Sequence, residues 1–182
     1  DNMVVDFSED AVESYKSKGG FTGFDYYNRE GIYYPRSPYN SNFSAKYLSN
    51  DTIIEDGKPG IFPKQGVNVY FLLGLLNSNL IIFLLNIINP TNNYQVGDIN
   101  RLPIIEFKEE HKKKIEELVL FNIENLRYKF SLVETSRYFK PDNLLNLFSN
   151  SMKGTIMDIL RIKDEIELAV YENDKIIDNL VY

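Results

Sequence analysis

Two hydrophobic textures divide the chain. Up to about residue 62 the apolar positions come in short runs broken by turn formers, and from Val67 onward they fall at three- and four-residue steps. Phe24 to Asn28 and Gly31 to Arg36 are rich in Tyr, Phe and Ile. Asn28-Arg29-Glu30-Gly31 between them has the composition of a turn whose glycine accepts positive φ, so the pair predicts a β-hairpin. Phe43 to Leu48, Thr52 to Glu55 and Gly60 to Phe62 predict further short strands, separated by Ser49-Asn50-Asp51, Asp56-Gly57 and Pro59. The helical spacing that starts at Val67 breaks at Asn77-Ser78-Asn79, resumes to Ile88 and stops at Asn89-Pro90, because the residue before proline is pushed out of the α region. These two helices are expected to lie under the sheet. Tyr94 to Ile99 and Leu102 to Phe107 read as extended, with Gly97-Asp98 and Pro103 as their punctuation.

Beyond Lys108 the pattern is helical. Ile115, Leu118, Val119, Asn122 and Leu126 put a mostly apolar stripe on one face, with Glu110, Lys113, Glu117 and Glu124 around the other. Ser131 to Asn143 interrupts this helix. A last one is predicted over Thr155 to Val170, with Ile156, Ile159, Leu160, Lys163 and Ile166 at helical steps, before Ile176, Ile177 and Leu180. The fold class expected is α+β: a small mixed or antiparallel sheet with packed helices, followed by a helical C-terminal segment. The organisation expected is an acidic leader over residues 1–20, a mixed domain over 21–107 and a helical extension over 108–182.

Composition narrows the chemistry. At 182 residues and 43% hydrophobic content the chain can bury a core. It has no cysteine and one histidine, His111, which leaves no disulfide, thiolate nucleophile, cysteine-ligated zinc or multi-histidine cluster. His111, in Glu109-Glu110-His111-Lys112, reads as a solvated residue at a helix start. Residues 1–13 carry five acids and no Lys or Arg, which is not the pattern of a signal peptide, and residence in the cytoplasm is the expectation. Val67 to Ile88 is long enough to raise a membrane reading. Gly74, Asn77, Ser78, Asn79 and Asn86 interrupt it, and a buried helix pair joined or capped at Asn77 and Ser78 satisfies those polar groups better than lipid does.

The net charge is −6, yet residues 14–48 carry Lys16, Lys18, Arg29, Arg36 and Lys46 against Asp25 and Glu30, a local balance of +3. Binding to phosphate follows the field at the docking face rather than the total. The same region holds ten aromatic residues, Tyr15, Phe21, Phe24, Tyr26, Tyr27, Tyr33, Tyr34, Tyr39, Phe43 and Tyr47. Arg36-Ser37-Pro38-Tyr39-Asn40-Ser41-Asn42 therefore reads as a polar loop able to meet DNA, with Arg36, Tyr39, Asn40, Asn42 and Lys46 as candidate contacts. The competing reading makes the tyrosines half-buried strand residues, and the two readings coexist if they use opposite faces. Asp98 and Gln95 likewise either organise a turn or reach DNA. Pro38-Tyr39 lacks the preceding Asn-Pro of the motif that holds a target adenine. Gly19-Gly20 and Gly23 follow no parallel strand as a cofactor turn would. No catalytic residues, cofactor-binding residues or metal ligands are assigned.

Leu72-Leu73-Gly74-Leu75-Leu76-Asn77-Ser78, then Asn89-Pro90-Thr91-Asn92-Asn93-Tyr94-Gln95-Val96-Gly97-Asp98-Ile99, then Leu102-Pro103-Ile104 follow one another in an order that resembles the target-recognition region of adenine-specific DNA methyltransferases. The likeness is to TaqI-like enzymes, to BREX-type (PglX-like) phage-defence enzymes and to fused restriction-modification enzymes. Glu30-Gly31-Ile32, Phe43 to Leu48, Gly60 to Pro63 and Glu134-Thr135-Ser136-Arg137-Tyr138-Phe139 with Leu144-Leu145 extend it, with Arg137 and Tyr138 standing where Trp is usual. The resemblance implies a TaqI-like specificity fold that grips double-stranded DNA. It also implies an upstream domain of a parent enzyme that uses S-adenosylmethionine to methylate adenine N6. Other proteins of a defence system are implied partners, and a helical protein-interaction module without direct DNA reading is the alternative.

Overall fold

The computed structural model describes residues 5–19, 23–39, 42–54, 57–103, 106–149 and 152–178. Helix α1 (Glu9–Ser17) buries none of its residues. A three-stranded antiparallel sheet follows, formed by β1 (Gly31–Tyr33), β2 (Lys46–Leu48) and β3 (Gly60–Ile61) in the order β2-β1-β3. Ile32 stands opposite Tyr47 on one side and Ile61 on the other, and Tyr33 opposite Lys46 and Gly60. Because side chains alternate along a strand, Tyr47, Ile32 and Ile61 form one row on the core face. Lys46, Tyr33 and Gly60 form a row on the outer face.

Helices α2 (Val69–Leu76) and α3 (Asn79–Ile88) cover the core face and its flank, capped as their sequence requires. The Asn68 side chain accepts from the backbone N–H groups of Tyr70 (2.8 Å) and Phe71 (3.4 Å). Fully buried Ser78 accepts from the Ile81 N–H (3.3 Å) and donates to the Leu75 carbonyl (2.7 Å). The two axes bend by 63° at that break, and among the described residues no single helix is long and apolar enough to cross a membrane. Leu73, Gly74, Leu75, Leu76, Ile81 and Leu85 of the pair are instead buried within the chain.

Helices α4 (Val96–Asn100), α5 (Glu109–Ser131), α6 (Pro141–Ser149) and α7 (Met152–Asp178) complete the molecule. Long α5 and α7 pack against each other, α5 also lies on α2, and α7 reaches α3. Ile115, Val119 and Ile177 thereby join Ile32, Leu73, Leu85 and Tyr94 in one hydrophobic cluster. Asp174 of α7 accepts from the Asn79 backbone N–H (3.1 Å) and its side-chain amide (2.8 Å), a carboxylate placed at the start of α3. Burial, opposed by that backbone bond and reinforced by Asp178, raises its pKa above the usual carboxylate value.

The architecture is the α+β arrangement that the pattern predicts, but several elements differ. The hairpin over 24–36 is absent. Phe24–Tyr26 is a short 3-10 helix entered through Gly23 at φ 73°, and the positive φ near the turn belongs to Asn28 (57°), not Gly31. Gly31 is needed for space: a Cβ there would sit 2.8 Å from the Ile61 carbonyl oxygen and 2.9 Å from the Phe62 ring. The segment read as a strand from Thr52 forms no strand over its described residues 52–54; it follows a turn at Asn50–Asp51 closed by the Thr52 N–H donating to the Ser49 carbonyl (3.1 Å), and Glu55 lies outside the described residues. Tyr94 to Ile99 is not extended but enters α4. Leu102 and Pro103 form no strand, and Ile104 and Ile105 lie outside the described residues. Helix α6 occupies part of what reads as an interruption, and α7 runs beyond both predicted ends. His111 is half-buried on α5, and its Nδ1 meets no hydrogen-bond partner among the described residues.

Candidate nucleic-acid interface

The loop from Tyr34 to Ala45 leaves β1 and returns into β2 on two buried rings. Tyr34 (1% exposed) and Phe43 (2%) lie 5.4 Å apart, and Phe43 meets Tyr94 edge-on at 5.3 Å. Backbone bonds fix the base of the loop: the Arg36 N–H donates to the Gly57 carbonyl (3.1 Å), and the Arg36 carbonyl accepts from Tyr94 (2.8 Å). At the other end Asn77, just beyond α2, clasps Ala45. Its Nδ2 donates to the Ala45 carbonyl (3.0 Å) while its Oδ1 accepts the Ala45 N–H (2.9 Å). A polar loop is thus mounted on fixed supports at both ends, the usual arrangement for recognition loops.

Between these anchors the candidate contacts separate. Tyr39 is fully exposed (102%), and Asn42 and Lys46 also face solvent. Arg36 is half-buried beside Tyr34, so its side chain is at least partly turned inward, and Asn40 lies outside the described residues. Burial raises the Tyr34 pKa, with the Arg36 charge opposing and Asp98 adding to the shift, and the Tyr34 hydroxyl has no hydrogen-bond partner among the described residues. The aromatic run therefore serves two purposes. Tyr34 and Phe43 are core, whereas Tyr39, Phe24 and Tyr26 are presented outward, and Phe21 lies outside the described residues.

The Asn89–Arg101 loop organises itself. Asn89 Nδ2 donates to the Asn93 carbonyl (3.0 Å) and to Asp98 Oδ2 (2.6 Å), while its Oδ1 accepts from the Thr91 backbone (2.9 Å) and hydroxyl (2.5 Å). Asp98 also accepts from the Gln95 N–H (2.9 Å), the reciprocal capping that starts α4 where extended chain is predicted. Those bonds, from Gln95 first and Asn89 second, lower the Asp98 pKa, with Arg101 assisting. Gln95 Nε2 bonds Asn93 Oδ1 (2.9 Å). Local structure accounts for each of these polar side chains. Gly97 sits in α4 without positive φ, so it does not serve as a left-handed turn residue.

Polar aromatic contacts tie the sheet to the helices. The Tyr47 and Tyr70 rings stack at 5.7 Å, and both hydroxyls donate to Glu30 Oε1, Tyr70 at 3.3 Å. Burial, and then the bond to the carboxylate, drives the Tyr47 pKa strongly upward. Arg127 of α5 lies over Tyr47 (5.6 Å) and Tyr138 (5.9 Å), whereas Arg137 binds Asp51 and the Thr52 hydroxyl (2.7 Å). The Ser49 hydroxyl first, and the Arg137 charge after it, hold the Asp51 pKa low. Arg127 is far in sequence from Tyr47, and Arg137 from Asp51 and Thr52, and no local pattern announces such contacts. Among the described residues no group of three or more His, Cys, Asp or Glu is placed to hold a metal. Both described strand pairings are antiparallel, and Gly19 and Gly23 lie between α1 and the short 3-10 helix, with no strand before them among the described residues.

Sequence comparison finds a distant likeness to an adenine-specific methyltransferase. The chain is 23% identical over 180 residues to adenine-specific methyltransferase BrxX of Escherichia coli O9:H4 (strain HS), a match that covers 98% of this chain and 14% of the relative. It thus spans about one seventh of the length of the curated relative it matches. No family model matches the chain.

Proposed function

We propose that this chain is the DNA target-recognition part of an adenine-N6 methyltransferase of a restriction-modification or phage-defence system. The observation that carries the reading is the match of 98% of the chain to a small part of an adenine-specific methyltransferase. The anchored loop supports it, since Tyr39, Asn42 and Lys46 project from a base held by Tyr34, Phe43, Tyr94 and Asn77. In this reading Arg36, Tyr39, Asn40, Asn42 and Lys46 face double-stranded DNA, the region having the TaqI-like specificity role. Another domain of the enzyme holds S-adenosylmethionine and receives the flipped adenine. Tyr39 offers a ring and hydroxyl, Asn42 an amide able to read a base edge, and Lys46 a phosphate contact.

Two measurements test this. The 182-residue chain should bind duplex DNA with an affinity that falls steeply as salt rises, because phosphate contacts release counterions. In the enzyme that carries the chain, Lys46→Ala and Tyr39→Ala should each lower site-specific methylation severalfold while leaving the melting temperature unchanged, since both side chains are exposed. Unaltered methylation in both variants would remove the loop from the interface.

Large apolar side chains on α7 favour a second reading, that of a helical protein-interaction module. Met157 (61% exposed), Leu160 (48%), Leu168 (58%) and Tyr171 (63%) fall at helical steps on the face turned away from buried Ile162, Ala169, Asn173 and Ile177. Retained methylation accompanied by loss of complex assembly on Leu168→Glu would select it.

A further inference from the structure

We propose that the outer face of the sheet is a phosphate-backbone contact centred on Arg29, a residue outside the 36–46 loop. The proposal rests on the DNA-binding reading and names a further element of the same surface. Phe62 follows β3 on the outer face, where it packs over Gly31. The Tyr26 ring lies on Phe62 at 4.8 Å, and the Arg29 guanidinium lies over both rings, 5.4 Å from Tyr26 and 5.6 Å from Phe62. Gly31 can carry no side chain here, so the strand leaves a shelf on which this stack is built.

A guanidinium stacked on aromatic rings uses its π face and leaves its planar edge of N–H donors available. Among the described residues the Arg29 donors meet no carboxylate or carbonyl, and Arg29 is exposed. Arg137 is the contrast, its fork spent on Asp51 and Thr52. The nearest acids in sequence do not neutralise Arg29: Glu30 accepts from the tyrosine hydroxyls of Tyr47 and Tyr70, and exposed Asp25 forms no ion pair with it. Stacking has already restricted the Arg29 side chain, so less conformational entropy is lost when it binds.

The surroundings make phosphate the fitting occupant. Lys46, exposed at the foot of the 36–46 loop, shares the outer face with Gly31 and Phe62, and it stands opposite Tyr33, whose phenol feels the charge of Lys58. A guanidinium fork and an ammonium spaced along one sheet face suit successive phosphates of a nucleic-acid strand. Such contacts set position and carry no base code, which distinguishes Arg29 from the loop residues that reach base edges.

The test titrates a mixed-sequence DNA duplex of about 20 base pairs, a length spanning two helical turns, with the 182-residue chain over a range of salt concentrations. Arg29→Gln should weaken binding about three- to tenfold for every duplex and reduce the slope of log affinity against log salt by about 0.9, the value for one phosphate contact. Arg29→Lys should restore the slope, because the charge returns, while recovering only part of the affinity, because the stacked fork does not. Thermal melts check that each variant is folded. An unchanged slope in Arg29→Gln alongside a reduced one in Lys46→Ala would overturn the Arg29 assignment alone. Failure of the unsubstituted chain to bind any duplex at low salt would overturn the DNA reading and this proposal together.

Discussion

Asn77→Ala is expected to lower the unfolding free energy by about 2–4 kcal/mol, the penalty for leaving backbone groups in a protein interior without partners. Asn77 works as an artificial strand partner. Its amide receives the Ala45 N–H and donates to the Ala45 carbonyl, while the same Nδ2 reaches the Leu73 carbonyl at 3.1 Å. Ala45 lies just before β2 and is itself buried, so water cannot readily replace the lost bonds. At about 2–4 °C per kcal/mol for a chain of this size, the melting temperature should fall by roughly 5–15 °C. Removing this clasp also loosens the return arm of the 36–46 loop, so DNA affinity should fall with stability.

Asn77→Asp separates the donor from the acceptor. Aspartate can still accept from Ala45, but when ionised it presents negative oxygen to two carbonyls. The folded protein therefore favours its protonated form, and the folded-state pKa lies above the unfolded value. The stability contributed by protonation is fully present below the unfolded pKa and is lost as pH rises through the folded one. Relative to the parent chain at each pH, the deficit of Asn77→Asp should be small in acid and large at neutrality. A deficit that is the same across pH would show that the donor bond is not what Asn77 supplies.

Gly74→Ala is the second substitution expected to carry a large cost. A Cβ at this position would lie 2.6 Å from Ile115 Cγ2, 2.9 Å from Val119 Cγ2 and 3.0 Å from Asn173 Oδ1, so α5 and α7 both close on α2 there. The first two are branch methyls held near their own backbones, and Asn173 is tethered by its Nδ2 bond to the Gly74 carbonyl (3.3 Å). Neither helix can give way without disturbing the packing. Overpacking costs about 1–3 kcal/mol, and the gain in helix propensity returns up to about 1 kcal/mol, leaving a net loss of about 1–2 kcal/mol by urea unfolding. Gly74→Val should lose more, since its further methyls enter the same space. Gly97→Ala is the control: with nothing within 4 Å of its Cβ position and no positive φ, it should be neutral or stabilising by up to about 1 kcal/mol. Equal effects at the two glycines would refute the close-packing account.

Much of the fold was legible in the chain because long periodic patterns survive averaging over local detail. Of the predicted α5 stripe Ile115, Leu118 and Val119 are buried, Asn122 is half-buried and Leu126 is exposed, and Asn77-Ser78 marks the break between α2 and α3. Short elements were less legible. Tyr94 to Ile99 has the Tyr, Val and Ile of a strand, yet Asp98 capping Gln95 and the Asn89 network decide for a helical turn. Phe24 to Asn28 has strand-like aromatics, but β1 finds its partners in β2 and β3 instead of in the adjoining segment. A strand of three residues is chosen by its neighbours more than by its own composition.

The candidate contacts show the same division. Composition alone marked the aromatic and basic stretch as the place to look, and the spacing of turn formers marked the 36–42 loop. It placed Tyr34 in a strand and Tyr39 in the loop, but that Tyr34 is core follows only from its packing on Phe43, while Tyr39 is fully exposed. Nor could it lift Arg29 out of a presumed turn and set it over Tyr26 and Phe62, because that stack depends on Phe62 reaching across Gly31 from β3. The sequence by itself determined the helical periodicities, the chain breaks and the residues able to meet phosphate. Only the tertiary structure decided which of those residues face solvent and which have donors unused, because exposure and hydrogen bonding depend on groups brought together from distant parts of the chain.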